Sequence, residues 1–339
     1  MSGVATVKEA DALPKAAIDA VPLILLAVLL VAAFFMIGTV STWVTLTVAG
    51  LAMGLLIFIM ASGLTLVFGL MDVMNFAHGL FIAIGAYVAA STMKVFSSAA
   101  ESDSFAANLG ALAPTLLGAI AVAGLIGFFF ERIIIRPVYG QHLKQILITT
   151  GGMIVAEQLI HVLWGPDLLP LPRPATLRGS FLIGDIAIEK FRLLAVVIGL
   201  TVFAAMILVL NRTKVGLLIR AGVENKEMVE AMGYRIRRLF IAVFIVGSAL
   251  AGLGGALWGL YQENVTVHIG AQMMVLIFIV IIIGGLGSVG GCFVGALLVG
   301  LVANYVGYLS PKIALGSNIL LMMLILFWRP QGLYPVNRQ

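Results

Sequence analysis

Long stretches without any charged side chain dominate the pattern of this chain. Residues 20–71 contain no Asp, Glu, Lys or Arg, and neither do residues 264–311. A bilayer core about 30 Å thick needs about 20 apolar residues in a helix, so each stretch is long enough for two crossings. These runs lack the strict alternation of a membrane β-strand. The pattern predicts ten transmembrane helices, at residues 21–40, 44–69, 78–92, 111–130, 145–164, 193–210, 239–260, 271–284, 290–309 and 312–328.

The composition narrows the class of protein further. Hydrophobic residues make up 62% of the chain and charged residues only 10%, whereas a soluble domain is about half apolar and about a quarter charged. A soluble enzyme, a nucleic-acid-binding domain and a disordered protein are therefore excluded. The single cysteine, Cys292, excludes a disulfide framework. We expect an all-α integral membrane protein with an N-terminal tail at 1–20 and one transmembrane domain at 21–339.

The distribution of basic residues predicts the orientation. With ten spans, the N-terminus, residues 131–144, residues 211–238 and the C-terminal tail share one side of the membrane. Fourteen of the 20 Lys and Arg residues lie in these segments. Since basic residues concentrate in cytoplasmic loops, we expect both termini to be cytoplasmic.

Two glycine-containing segments interrupt the apolar pattern, at 63–79 and 284–295. Irregular backbone at membrane depth is tolerated only where protein or a water-filled cavity satisfies it, and broken helices mark transport pathways. Asp72, Asn75 and His78 are spaced by three, which predicts one side of a helix facing the protein interior. Asn75 and His78 either hydrogen-bond the broken backbone or contact a substrate. The residues predicted to line a path are Asp72, Asn75, His78, Gly79, Gly284, Gly285, Gly287 and Ser288.

The glycines themselves allow two interpretations, close helix packing or a backbone turn. The density of glycine at 284–291 favours a turn there. An inverted repeat that begins at spans two and seven is also compatible with the pattern. In that repeat the two breaks would be one span out of phase, so the sequence leaves the repeat open.

An acidic and a basic residue lie one helical turn apart within the predicted fifth span. Glu157 and His161 are separated by four positions, and Gln158 lies beside them. A buried Glu–His pair could form a proton relay. It could equally form a structural polar pair between helices.

The longest predicted cytoplasmic loop, at 211–238, carries both basic and acidic residues. Between Val223 and Met232 it contains no Gly or Pro, and its apolar residues recur at helical spacing, which predicts a short amphipathic helix. Gly233 fits the position after its C-terminus. The loop is either a basic segment held near anionic lipid or a docking element for a cytoplasmic partner. No glycine-rich phosphate loop occurs in the sequence, so any nucleotide must be bound by another chain.

Five segments resemble permease subunits of branched-chain amino acid ABC importers. They are GLTLVFGLMDVMNFAHGLFIAIGAYVA at 63–89, ERIIIRPVYG at 131–140, TKVGLLIRAGVENKEMVEAMGY at 213–234, IIIGGLGSVGGCFVGALL at 281–298 and RPQGLY at 329–334. The resemblance covers about residues 45–335. The loop at 213–234 resembles the coupling segment of that family, although Glu-Asn-Lys-Glu at 224–227 stands where more neutral residues are common.

The resemblance implies an importer of the bacterial inner membrane. A periplasmic protein would deliver the substrate, this chain and a second, related permease would form the path, and two cytoplasmic ATPases would use ATP and Mg. The chain itself would be no enzyme and would bind no cofactor, metal or nucleic acid. Family members carry leucine, isoleucine and valine, and relatives carry urea, short amides or aromatic acids. The residues implied to dock on an ATPase are Glu224, Glu227, Glu230, Ala231, Gly233 and Tyr234.

Two other functions compete with this interpretation. A secondary transporter or channel would use the broken helices and the pair Glu157 and His161. An intramembrane hydrolase would need Ser288 as nucleophile and His78 as base. The hydrolase is disfavoured, because Leu286 stands where a nucleophile elbow requires glycine.

Overall fold

The computed structural model describes residues 20–224 and 226–334. Helices account for most of this part of the chain. Their bounds are α1 Val21–Ile37, α2 Val40–Met71, α3 His78–Val95, α4 Ser97–Ala100, α5 Phe105–Phe130, α6 His142–Trp164, α7 Lys190–Arg212, α8 Lys214–Glu224, α9 Lys226–Ala231, α10 Ile236–Gln262, α11 Ile269–Gly284, α12 Val289–Leu309 and α13 Pro311–Trp328. The tail predicted at 1–20 lies outside the described residues except for Ala20.

Short irregular elements join the helices. After α5 the chain continues as a π-helical turn, Glu131–Ile135, and a 3-10 turn, Arg136–Val138. Another 3-10 turn, Ala175–Leu177, lies in the link between α6 and α7. The described strands are two to four residues long and form two antiparallel pairs. They are β1 Leu169–Pro170 with β4 Asn264–Val265, and β2 Ser180–Ile183 with β3 Ile186–Glu189.

Each of the ten predicted spans corresponds to a helix. Seven helical segments are long and apolar enough to cross a membrane, and shorter apolar helices cover α1, α11 and part of α13. The all-α integral membrane architecture is therefore confirmed. The helix α2 is the longest of the single α-helices, with 32 residues, and it runs without interruption through Gly63 and Gly69. The interruption predicted at 63–79 is therefore confirmed only at 72–77, and Gly63 and Gly69 serve close packing between helices, which the sequence also allowed.

The centre of the bundle is the crossing of α2 and α10. There the backbones of Gly63 and Gly247 touch, and a Cβ at Gly247 would lie 2.8 Å from the Gly63 carbonyl oxygen. A similar crossing joins the first turns of α3 and α11, where a Cβ at Gly79 would lie 2.7 Å from the Gly270 carbonyl oxygen. Only glycine permits such approaches, so these positions fix the helix arrangement.

The packing partners follow a paired pattern. The helix α2 packs along α12 as α10 packs along α5, and α3 packs on α10 as α11 packs on α2. This is the arrangement expected if α2–α6 and α10–α13 form an inverted repeat. In it the counterpart of the link between α2 and α3 is the link 263–268 between α10 and α11. The glycine-rich segment between α11 and α12 is therefore not the counterpart of the first break in this repeat. This explains why the two breaks are out of phase in the sequence.

Candidate functional site

The first break joins α2 to α3 through residues 72–77. Asp72 ends α2 in a left-handed conformation with φ 52°, which Asp tolerates better than most residues. Its side chain is half exposed, with Oδ2 3.7 Å from His142 Nε2, whereas Asn75 and His78 are buried. The prediction that Asp72, Asn75 and His78 share one helix face is therefore wrong, since two of them precede the helix.

Two side chains of α6 satisfy the backbone of this break. The Met74 N–H donates to Gln145 Oε1 at 3.3 Å, and the Phe76 N–H donates to Thr149 Oγ1 at 3.1 Å. Gln145 and Thr149 are fully buried. Because hydrocarbon offers no hydrogen-bond partners, these two side chains allow the helix to stop inside the bundle. The sequence analysis missed them, although their spacing of four in an apolar span was a usable signal.

Asn75 and His78 also bind the backbone of the chain. The Asn75 Oδ1 accepts a hydrogen bond from the Ala77 N–H at 3.1 Å. The His78 Nε2 lies 2.9 Å from the Met60 carbonyl oxygen, so Nε2 is the donor of the ring. Among the described residues, Nδ2 of Asn75 has no hydrogen-bond partner. Backbone binding by both side chains is thus observed, and direct contact with a substrate stays a prediction.

The second break joins α11 to α12 through residues 285–288. Gly285 and Gly287 have φ values of 100° and 81°, so the predicted backbone turn is confirmed at these two positions. Ser288 Oγ accepts a hydrogen bond from the Gly291 N–H at 3.1 Å and begins α12. In contrast, Gly284 and Gly291 lie within helices with their backbones in contact, so these two glycines serve packing.

The C-terminal segment closes the second break. The Leu333 N–H donates to the Ile283 carbonyl oxygen at 2.8 Å, and the Tyr334 N–H donates to that of Gly284 at 3.0 Å. The last carbonyls of α11 are therefore satisfied by backbone of residues that follow α13.

Each break packs against a helix that borders the other break. A Cβ at Gly69 would lie 2.7 Å from the Gly287 Cα, and the rings of Phe76 and Phe278 are 5.1 Å apart. The structure therefore brings both predicted path segments together. Most of the predicted residues are nevertheless covered by the chain itself. The buried ones are Asn75, His78, Gly79, Gly284 and Gly285.

The predicted coupling loop is mostly helical. The prediction of one helix at 223–232 is wrong in extent, because α8 already begins at Lys214 and α9 follows it. Gly222 and Val229 are buried, so the amphipathic pattern starts earlier than the chosen window. Of the predicted coupling residues, Glu224 and Glu227 lie in these helices, but their side chains are outside the described part.

The predicted coupling residues at the end of α9 lie on the surface. Glu230, Ala231, Gly233 and Tyr234 are all exposed. Gly233 adopts φ 86°, and its N–H donates to the Glu230 carbonyl oxygen at 2.9 Å. The predicted glycine stop of the helix is therefore confirmed.

A series of ring contacts and hydrogen bonds connects this region with the first break. The Tyr139 hydroxyl donates to Glu131 Oε1 at 2.6 Å, and its ring packs on Phe240 near the start of α10. Burial, reinforced by the bond to Glu131, raises the pKa of the Tyr139 phenol, so Tyr139 remains a donor. One residue earlier, the Val138 carbonyl oxygen accepts a bond from Gln145 Nε2 at 3.1 Å. Gln145 thus binds both the link between α5 and α6 and the first break.

Comparison with known proteins decides the family. The family described as "Branched-chain amino acid transport system / permease component" matches residues 46–328. The chain belongs to this family. It is therefore a multi-pass membrane protein with a transport role. Membership in this family favours a permease component of a transport system over a secondary transporter or channel.

Three curated relatives illustrate the similarity. The high-affinity branched-chain amino acid transport system permease protein BraD of Pseudomonas aeruginosa is 27% identical, over 84% of this chain and 94% of the relative. LivH of Escherichia coli, with the same description, is 28% identical over 84% and 92%. The probable branched-chain amino acid transport permease protein LivM of Methanocaldococcus jannaschii is 24% identical over 83% and 90%. No solved structure matches the chain.

Proposed function

We propose that this chain is one of two permease subunits of an ATP-driven importer in a bacterial inner membrane. The solute is a branched-chain amino acid or a similarly small molecule, delivered by a periplasmic binding protein. The names of the relatives support this substrate class. The basic segments at 131–144 and 211–238 support a cytoplasmic position for both termini.

The observation that carries the proposal is the shape of the coupling segment. Two short helices, α8 and α9, connect α7 to α10, and Glu230 and Tyr234 are exposed around the turn at Gly233 that follows α9. This is a compact element that a soluble ATPase can hold. Two such ATPases would bind ATP and Mg, and this chain would bind neither.

Movement of this element has a route to the predicted path. The helix α9 leads into α10, where Phe240 contacts Tyr139. Tyr139 adjoins Val138, and Gln145 links Val138 to the first break. Opening of the path would then accompany a shift of residues 72–77 against residues 285–288.

The coupling assignment is tested in the complex reconstituted in proteoliposomes. Glu230→Arg reverses an exposed charge, and Gly233→Pro disfavours the left-handed turn, whose φ proline cannot adopt. We expect both variants to lose solute-stimulated ATP hydrolysis and uptake. Leu182→Ser, in the exposed hairpin β2–β3, is the matched surface control and should leave both activities unchanged. Wild-type coupling in both test variants would remove the assignment.

The solute is identified separately, by calorimetry on the cognate periplasmic protein. The panel comprises leucine, isoleucine, valine, urea, a short amide and an aromatic acid. We expect the aliphatic amino acids to give a heat of binding. If only urea gave one, the proposed substrate class would be wrong, and the proposed coupling mechanism would be unaffected.

A further inference from the structure

The helix α6 lies at the outside of the bundle. Five of its 23 residues are buried, and they form one stripe that faces the rest of the chain. That stripe consists of Gln145, Thr149, Met153, Ala156 and Ile160. Toward the C-terminal end of α6, two flanks on either side of this stripe differ in chemistry, and exposed apolar residues such as Ile154 and Val162 occupy part of the remaining surface.

One flank is apolar. It lines a groove of about 670 Å³ between α3, α5 and α6, with only hydrophobic side chains and glycines in its wall. Val155, Leu159 and Leu163 supply the wall on the α6 side. Lipid acyl chains or apolar side chains can fill such a groove at no electrostatic cost.

The other flank is polar, and we call it the polar flank. It combines α6 with the start of α11 and consists of Glu157, Gln158, His161, His268 and Gln272. Glu157 Oε1 lies 4.0 Å from His268 Nδ1, and the rings of His161 and His268 are 6.2 Å apart. Gln158, His268 and Gln272 are exposed. The sequence suggested His161 as the partner of Glu157, and the structure adds His268 from another helix.

The position of Glu157 along α6 makes its polar surroundings informative. Glu157 is seven residues before the end of α6 at Trp164, which corresponds to about 10 Å along the helix. Since α6 is one of the helices that are long and apolar enough to cross a membrane, we expect Glu157 to lie within the apolar layer. Its Oε1 is buried and accepts no hydrogen bond from the described residues. Ionisable side chains at such depth face protein or a water-filled cavity, since exposure to lipid is costly.

We propose that the polar flank faces the second permease subunit across a water-filled path, and that Glu157 contacts the ammonium group of the passing solute. The inference rests on the proposed function. The Glu157 side chain is 18% exposed, and its buried oxygen accepts no hydrogen bond from the described residues, so the carboxylate is suited to an ammonium group that approaches from the exposed side. His161 and His268 lie within reach of the same solute and can donate to its carboxylate.

The first experiment measures the water accessibility of the two flanks. Gln158→Cys and Leu159→Cys lie at the same depth but on different sides of α6. Both are assembled with the partner permease and ATPases in nanodiscs and treated with a charged, membrane-impermeant methanethiosulfonate. Modification of this chain is counted by mass spectrometry. The native Cys292 is fully buried and supplies the background.

We expect fast modification at Gln158→Cys and none at Leu159→Cys. No modification at either position, or equal rates at both, would overturn a water-filled path along the polar flank. ATP-driven uptake by the parent complex is measured first, in proteoliposomes, because nanodiscs enclose no compartment. If the parent lacks uptake, the proposed function fails, and that result is distinct from a failure of the labelling pattern.

The second experiment tests the solute contact itself. Glu157→Gln keeps the shape of the side chain and removes its charge. Loss of one charge-assisted contact should lower uptake of the amino acid by about tenfold, while ATP hydrolysis stimulated by the loaded binding protein stays within about twofold. Glu157→Asp should restore part of the uptake. A merely structural role would lower uptake and hydrolysis together, and that outcome, or unchanged uptake, would overturn the contact.

Discussion

The two broken segments interrupt helices in different ways. The first, residues 72–77, contains no glycine, and side chains of another helix satisfy its amides. The second, residues 285–288, contains two glycines with positive φ, and its neighbouring carbonyls are satisfied by the backbone of the C-terminal segment. Side chains can change rotamer while the backbone stays in place. Tightly packed glycines have no side chain to adjust, so any movement there makes one backbone segment clash with another. We infer that the first break is the adjustable one and the second is the rigid one.

The largest effect is expected beside the second break, where the backbones of α11 and α12 are most crowded. Gly291→Ala would press a methyl group against the Gly284 carbonyl and should destabilise the protein by about 3 kcal/mol. Gly290→Ala is the matched control, because no atom lies within 4 Å of a Cβ there. Thermal unfolding in detergent, followed by circular dichroism, measures both. Equal midpoints for the two variants would contradict the rigid packing.

A somewhat smaller effect is expected at the first break from Gln145→Leu. This change removes the acceptor for the Met74 N–H and the donor to the Val138 carbonyl oxygen, and a buried unsatisfied group costs about 1–3 kcal/mol. Since the break loses its link to residue 138, uptake should fall more than ATP hydrolysis does. Proteoliposome assays of both activities check this ratio.

The variant Gln145→Glu sharpens the same point. The ionised side chain keeps an acceptor for the Met74 N–H and loses the donor to residue 138, whereas the protonated side chain retains both. Uptake that is lost when the carboxylate ionises and returns on protonation would assign the coupling to the donor half. Normal uptake by both Gln145 variants would show that this link transmits nothing.

Thr149→Val should have a moderate effect. It removes the partner of the Phe76 N–H, and polar contacts between membrane helices contribute about 1 kcal/mol. The unfolding midpoint should fall by a few degrees. Hydrogen exchange at Phe76 gives a direct measure, and unchanged protection of this amide would argue against the hydrogen bond.

The smallest effect is expected from Ser288→Ala at the second break. The cap of α12 is lost, but the serine is half-buried, so water can replace it, and the cost should be about 1 kcal/mol or less. Uptake should remain. A loss of uptake with normal stability would make Ser288 a path residue, as the sequence analysis predicted.

The sequence located the spans well because their lengths follow from membrane thickness alone. It also placed the stop at Gly233, where the left-handed turn needs no distant partner. It left the role of Gly63 and Gly69 open, since a glycine in an apolar run predicts a break and a packing contact equally well. Gln145 was not predicted, because its role depends on the backbone N–H of Met74, which lies more than 60 residues away in the chain.

The sequence by itself determined the ten apolar helices, their order and the family, since local hydropathy and short motifs carry that information. Only the tertiary structure decided that Asp72 points outward, that His78 is bound to Met60, and that Glu157 meets His268. The physical reason is that a hydropathy pattern records how apolar a helix is along its length. The side of the helix that meets another helix, lipid or water is set by packing between segments far apart in the chain.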